Sequence, residues 1–160
     1  MNMNRIDFDF DNVGGISRMY AIDVRGVHAL TPNVLTGRYR LSLHRDAAVI
    51  EIPVYAPDST SFSERQQLDD AGDVFHVSIS GFIPRQNGAG LVQALERGSW
   101  LVIHQDANGD ILLSGSVDVP LVFTSDKSSG GDGGLNGNSF TFSAVEPAPS
   151  VLIDTRAFYL

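Results

Sequence analysis

The chain has 160 residues, enough to bury a core as a single domain without covalent staples. Hydrophobic residues make up 42% and charged residues 19%, which excludes global disorder, and the lack of cysteine excludes a disulfide scaffold or a thiolate metal site. A net charge of −8, with the 11 basic residues scattered singly, argues against nucleic-acid binding by counterion release. Acidic balance alone usually means only solubility; a second reading is a surface that repels DNA and lets it slide past.

Met1–Asn12 lacks the basic and apolar regions of a secretory signal, and no apolar run has the length to cross a bilayer. We therefore expect a soluble protein that engages no membrane. Sixteen Gly and 7 Pro, together with many Val, Ile, Phe and Thr, point to a mainly β fold.

Arg5–Asp11 alternates Ile6, Phe8 and Phe10 with charged residues, the period-two pattern of a strand with one wet face. Gly14-Gly15 ends it, and Ile16–Val24 reads as a second strand. Arg25–Gly37, with Thr31-Pro32-Asn33, reads as a loop. Arg38–His44 and Ala48–Tyr55 read as the two arms of a hairpin turning at Arg45-Asp46. Ala56–Asp73 is polar; a loop or a short helix over Ser63–Leu68 fits equally well.

Val74–Pro84 alternates again, with Phe75, Val77, Ile79, Gly81 and Ile83 on one face and His76, Ser78 and Ser80 on the other. Gly81 at an inward position predicts a bulge or a close backbone approach. Leu91, Val92 and Leu95 have helical spacing, so a short helix is expected over about residues 90–97, with Gly98 as its left-handed cap. Trp100–His104 and Ile111–Val117 flank Asn108-Gly109, a hairpin signature because both residues tolerate positive φ. The strand Pro120–Thr124 leads into a glycine-rich tract, 125–138, expected to be a long flexible loop; the strand Ser139–Val145 follows it. Ser150–Leu160 reads as one more strand or as an arm that joins a neighbour's sheet. The expected architecture is a β-sandwich or β-barrel over residues 1–160, with one helix and one long Gly/Ser loop.

The constellations that carry chemistry fail one by one. His28, His44, His76 and His104 share no metal-ligand spacing, although strands could still bring two together, and His76 and His104 fall on predicted polar faces. Asp106-x-Asn108-x-Asp110 starts like a calcium loop but places Ile111 where a glycine must turn the chain and Val117 where a carboxylate must chelate. The tract Gly130–Gly137 precedes a strand, so a phosphate there lacks a helix N-terminus. No cysteine or Gly-x-Ser-x-Gly nucleophile is present, and the carboxylates at Asp7, Asp9, Asp11, Asp69 and Asp70 lie on wet faces. We expect no catalytic residue, no metal and no cofactor. Trp100 beside the helix cap reads as core. Tyr39, Tyr55 and Trp100 are the aromatic candidates if the chain is instead a ligand- or carbohydrate-binding β-sandwich.

The order Gly81-Phe82-Ile83-Pro84, the Leu91–Leu95 helix, Trp100–Asp110, Leu113-Ser114-Gly115-Ser116, Pro120–Asp126 and Asn136–Ala144, together with Gly14–Ile22, resembles small virion structural proteins of bacteriophages and prophages. These are similar in outline to tail-tube or neck components, β-sandwich or β-barrel subunits that form rings. The resemblance covers roughly Gly14–Val145 and departs at Glu64–Asp73 and in the glycine-rich loop. It implies no catalytic residue. It implies synthesis in a bacterial cytoplasm, homo-oligomeric rings and contacts with other virion proteins. Edge strands and the loop residues Ser125, Asp126, Lys127, Gly130, Gly131, Gly133, Gly134 and Asn136 are the expected assembly elements.

Overall fold

A strand with no wet face sets the architecture. In β7 (Trp100–Asp106) the first five residues are all buried. Side chains alternate across a strand, so such a run requires packed layers on both sides. A computed structural model, which describes residues 14–55, 59–84, 89–129 and 136–154, supplies both.

The remaining strands are β1 (Ile16–Asp23), β2 (Val27–Asn33), β3 (Arg38–Leu43), β4 (Val49–Ile52), β5 (Ser61–Asp69), β6 (Gly72–Pro84), β8 (Ile111–Ser114), β9 (Val122–Ser129), β10 (Asn136–Glu146) and β11 (Val151–Leu152); the helix α1 spans Ala89–Glu96. The central sheet has the order β11-β8-β7-β1-β4, a second sheet β5-β6-β10-β9, and a third is the hairpin β2-β3. The expected mainly β sandwich with one short helix is the fold observed.

Between the central and four-stranded sheets lies the larger core: Met19, Ala21, Ile52, Val77, Ile79, Trp100, Val102, Phe140 and Phe142 among others, closed at one end by Val92 and Leu95 of α1. On the opposite face of the central sheet, Ile22, Leu101, Ile103, Ile111, Leu113 and Ile153 meet Tyr39, Leu41 and Leu43 of the hairpin. Strand β1 reaches the first core through a bulge. Its pairing with β7 slips between Ile16 and Arg18, and the extra residue, Ser17, donates from Oγ to the carbonyls of Gln105 (3.1 Å) and Asp106 (3.2 Å). The slip lets Ile16 and Met19, three residues apart, face the same core. Gly81 makes the expected close approach: a Cβ there would sit 2.6 Å from Cζ of Phe140.

Several expectations are corrected. Val27–Asn33 is a strand, not a loop; its mate is β3, while Val49–Ile52 pairs with β1 instead. Pro32 is tolerated because a two-stranded sheet consists only of edges. The turn falls at Asn33–Gly37, where the Asn33 carbonyl accepts from Gly37 N (2.9 Å) and Gly37 has φ +67°. Ser61–Asp69 is neither loop nor helix but a strand paired along its whole length with β6. Gly98 is not left-handed. It is glycine because the Trp100 indole occupies the space a Cβ would need.

The Asn108-Gly109 hairpin forms as expected, with Gly109 at φ +94°. The C-terminal segment joins its own chain: Val151 and Leu152 pair with β8, and Ile153 bridges to Tyr39. The predicted strand Arg5–Asp11 and the aromatic close Phe158-Tyr159 lie outside the described residues.

Truncating Phe142, fully buried between Phe123 (5.0 Å between centroids) and Phe140 (5.9 Å), is expected to cost about 3–5 kcal/mol in urea unfolding as Phe142→Ala. Gly98→Ala, which forces a methyl against the indole, is expected to cost about 1–3 kcal/mol by the same measurement.

Candidate functional site

The expected assembly residues do not form one long loop. Strand β9 runs on to Ser129 and β10 begins at Asn136, so Ser125, Asp126 and Lys127 sit in a ladder opposite Phe140, Ser139 and Asn138, and Asn136 opposite Ser129. Serine and glycine hide a strand when a partner supplies its hydrogen bonds. Gly137 is buried in β10, where the Ile83 carbonyl and the Phe82 ring leave no room for a side chain. Gly130, Gly131, Gly133 and Gly134 lie outside the described residues.

What the pairing does build is a polar outer face on the four-stranded sheet. Register places Ser61, Ser80, Thr141 and Thr124 in one cross-strand row and Ser63, Ser78, Ser143 and Val122 in the next. Arg65, His76 and Val145 form a third row. Their strand neighbours Phe62, Val77, Ile79, Phe140 and Phe142 point inward, so the hydroxyls face out by period two alone. Ser61 Oγ and Ser80 Oγ are 3.1 Å apart, and Thr124 Oγ1 donates to the Thr141 carbonyl at 3.4 Å. The second and third rows line a shallow groove of about 430 Å³, with Ser63, Arg65, His76, Ser78, Ser143 and Val145 around it. The groove offers hydroxyl donors, a guanidinium and an aliphatic wall. Among the described residues no hydrogen bond joins His76 to these serines.

The carboxylates that lie inside the fold are committed to backbone donors. Glu146, buried at the end of β10, accepts from Gly115 N (2.9 Å), and Glu64 of β5 accepts from Ser150 N (2.7 Å). Burial pushes the Glu146 carboxyl above the usual range, opposed by the Gly115 N–H and reinforced by the charge of Glu64. With Ser114 Oγ and Ser150 Oγ 2.8 Å apart, this cluster ties β8 and the C-terminal segment to the four-stranded sheet. Asp106, first in the calcium-like spacing, uses Oδ1 to accept from Asn108 N and Asp110 N at 2.9 Å each, while Asp110 pairs with Arg38 at 3.4 Å. These bonds make a turn. Among the described residues no group of three or more His, Asp or Glu is placed to hold a metal, and no helix there is long and apolar enough to cross a membrane.

One histidine pair meets, as strands allow, and one histidine placement differs from the sequence reading. His28 and His44 are brought edge to face, 5.1 Å between centroids, by the β2–β3 hairpin. His104 is not on a polar face: it is 1% exposed, packs on Phe62 at 4.6 Å, and its Nδ1 has no partner. Of the aromatic candidates, Trp100 is buried with Nε1 donating to the Leu95 carbonyl at 2.8 Å, Tyr39 packs on the second core, and Tyr55 is exposed. They share no exposed platform. The Ser/apolar alternation of Val74–Pro84 and Ser139–Val145 was the sequence signal for the outer face, but the rows needed the register.

Burial moves His104 from its ordinary value near 6.5 down to about 4, against a small opposing effect of Asp106. The unfolded chain therefore takes up the proton first. Stability is at full value above about pH 6.5 and falls as the pH drops toward 4, by about 3 kcal/mol from this group. Urea midpoints measured from pH 7 to pH 4 are expected to show that loss, and His104→Leu is expected to flatten it. Comparison with protein-family models, with curated proteins and with solved structures gives no match, so the functional reading rests on the geometry.

Proposed function

We propose that the chain is a structural subunit of a phage or prophage virion, of the tail tube or its junctions, that assembles with copies of itself into rings. The observation that carries this reading is the open edge of the four-stranded sheet. Strand β5, nine residues long, has β6 on one side and, among the described residues, no strand on the other. An unpaired edge of that length is a template for another strand. Arg65 and Asp69, both exposed, punctuate it, which disfavours indiscriminate pairing and favours a mate of matching charge.

The opposite edge, β9, lies beside α1, where Ser125 Oγ donates to Glu96 Oε1 at 3.0 Å. The two edges therefore differ, and a head-to-tail pairing of unlike edges is the kind that closes rings. The net charge of −8 supports the same reading, because an acidic lumen lets DNA pass without adhering.

Sedimentation velocity across a concentration series, with negative-stain microscopy of the largest species, tests the proposal. Concentration-dependent rings or short tubes are expected. A chain that stays monomeric up to about 1 mM, weaker than any useful subunit contact, overturns it.

A further inference from the structure

The two outermost strands of the four-stranded sheet carry complementary charges at matching positions. Strand β5 runs antiparallel to β6, β6 to β10 and β10 to β9, so β5 and β9 run in opposite directions. A second copy set edge to edge therefore continues the sheet in the antiparallel sense, β9 of one copy beside β5 of the other. Among the described residues neither strand has a backbone ladder partner besides β6 or β10. Helix α1 touches β9 through Ser125, which lies on the same side of the strand as the core residue Phe123.

Keeping the two faces of the sheet in line restricts the alignment to steps of two residues, because side chains alternate along each strand. Outward on β5 are Ser61, Ser63, Arg65, Gln67 and Asp69; outward on β9 are Val122, Thr124, Asp126 and Ser128. One alignment sets Arg65 directly opposite Asp126, both exposed. A step of two to either side gives Arg65 only Thr124 or Ser128. The same alignment lays all 8 residues of β9 against Phe62–Asp69, and no like charges meet in it. On the inner face it sets Lys127 opposite Glu64, whose Oε2 also accepts from Ser150 N. It also brings Leu68, 79% exposed, opposite Phe123 of the larger core. Directly opposite pairs of unlike charge or of apolar side chains are what stabilise one alignment over another.

We propose that β5 of one copy pairs with β9 of the next in this alignment, with Arg65 against Asp126. The contact rests on the reading of the chain as a self-assembling subunit, and adds to it the mate of β5 and the alignment of the two strands. Each copy offers one edge of each kind, so the joint is heterologous and repeats from copy to copy. Main-chain hydrogen bonds supply the attraction, and the charged pair fixes the alignment.

Charge exchange tests the pairing. Arg65→Asp and Asp126→Arg are each expected to weaken assembly at least tenfold in sedimentation velocity, with unchanged melting temperatures because both side chains are exposed. An equimolar mixture of the two variants restores opposite charges at every joint and is expected to assemble as the unaltered chain does. The chain has no cysteine, so Ser63→Cys and Ser128→Cys, exposed and opposite in this alignment, give a second measurement. A mixture of these two proteins treated with a short bis-maleimide is expected to give heterodimer at least tenfold over either homodimer. If a charge variant melts early, the cross-link decides. Charge variants that assemble unimpaired, a mixture that does not recover, or a cross-linked homodimer in excess overturns this pairing and leaves the assembly reading standing. An unaltered chain that stays monomeric up to about 1 mM overturns both.

Discussion

Burial of β7 on both faces is the constraint on which the rest of the structure depends. Trp100 and Val102 must be covered from one side and Leu101 and Ile103 from the other, so the chain builds three layers where a simple sandwich has two. Trp100 anchors the arrangement at its first residue. Its backbone exchanges hydrogen bonds with Leu121 (3.2 and 2.8 Å), and its indole caps α1 through the Leu95 carbonyl. Its ring also dictates Gly98, while its carbonyl, 3.0 Å from where a Cβ of Gly115 would lie, adds to the case for glycine there. Gly115 itself has φ +87°, a conformation other residues rarely adopt.

Polar groups inside this stack are either paired at its margin or borne as a cost. Glu64 and Glu146 hold backbone N–H groups where the two large sheets meet the C-terminal segment. A carboxylate accepting a backbone donor replaces part of the hydration it loses. His104 has no such compensation at Nδ1, and a neutral ring against Phe62 is the state the core tolerates. At the opposite end of β1, Asp23 is held below the usual carboxylate range by its side-chain hydrogen bonds from Arg25, against the effect of its burial. The N–H of Arg25 adds a further bond at 2.9 Å that fixes the turn into β2.

The features read as functional all face away from the cores. The outer rows of the four-stranded sheet and the open edge of β5 are left uncovered among the described residues.

The sequence by itself determined the β class, the strand Val74–Pro84, the helix near residues 90–97 and the Asn108-Gly109 turn, because period, spacing and turn chemistry are local. Its reading of Trp100 as core was also sound, since a lone large ring beside a helix end has little else to do. Only the tertiary structure decided that Val27–Asn33, Ser61–Asp69 and Ser125–Ser129 are strands. Their residues have no apolar rhythm strong enough to declare them, and each becomes a strand because a neighbouring backbone satisfies its hydrogen bonds. Partner choice, the burial of His104 and the outer rows likewise depend on register between residues far apart in sequence. A local pattern carries no record of which distant strand will lie beside it.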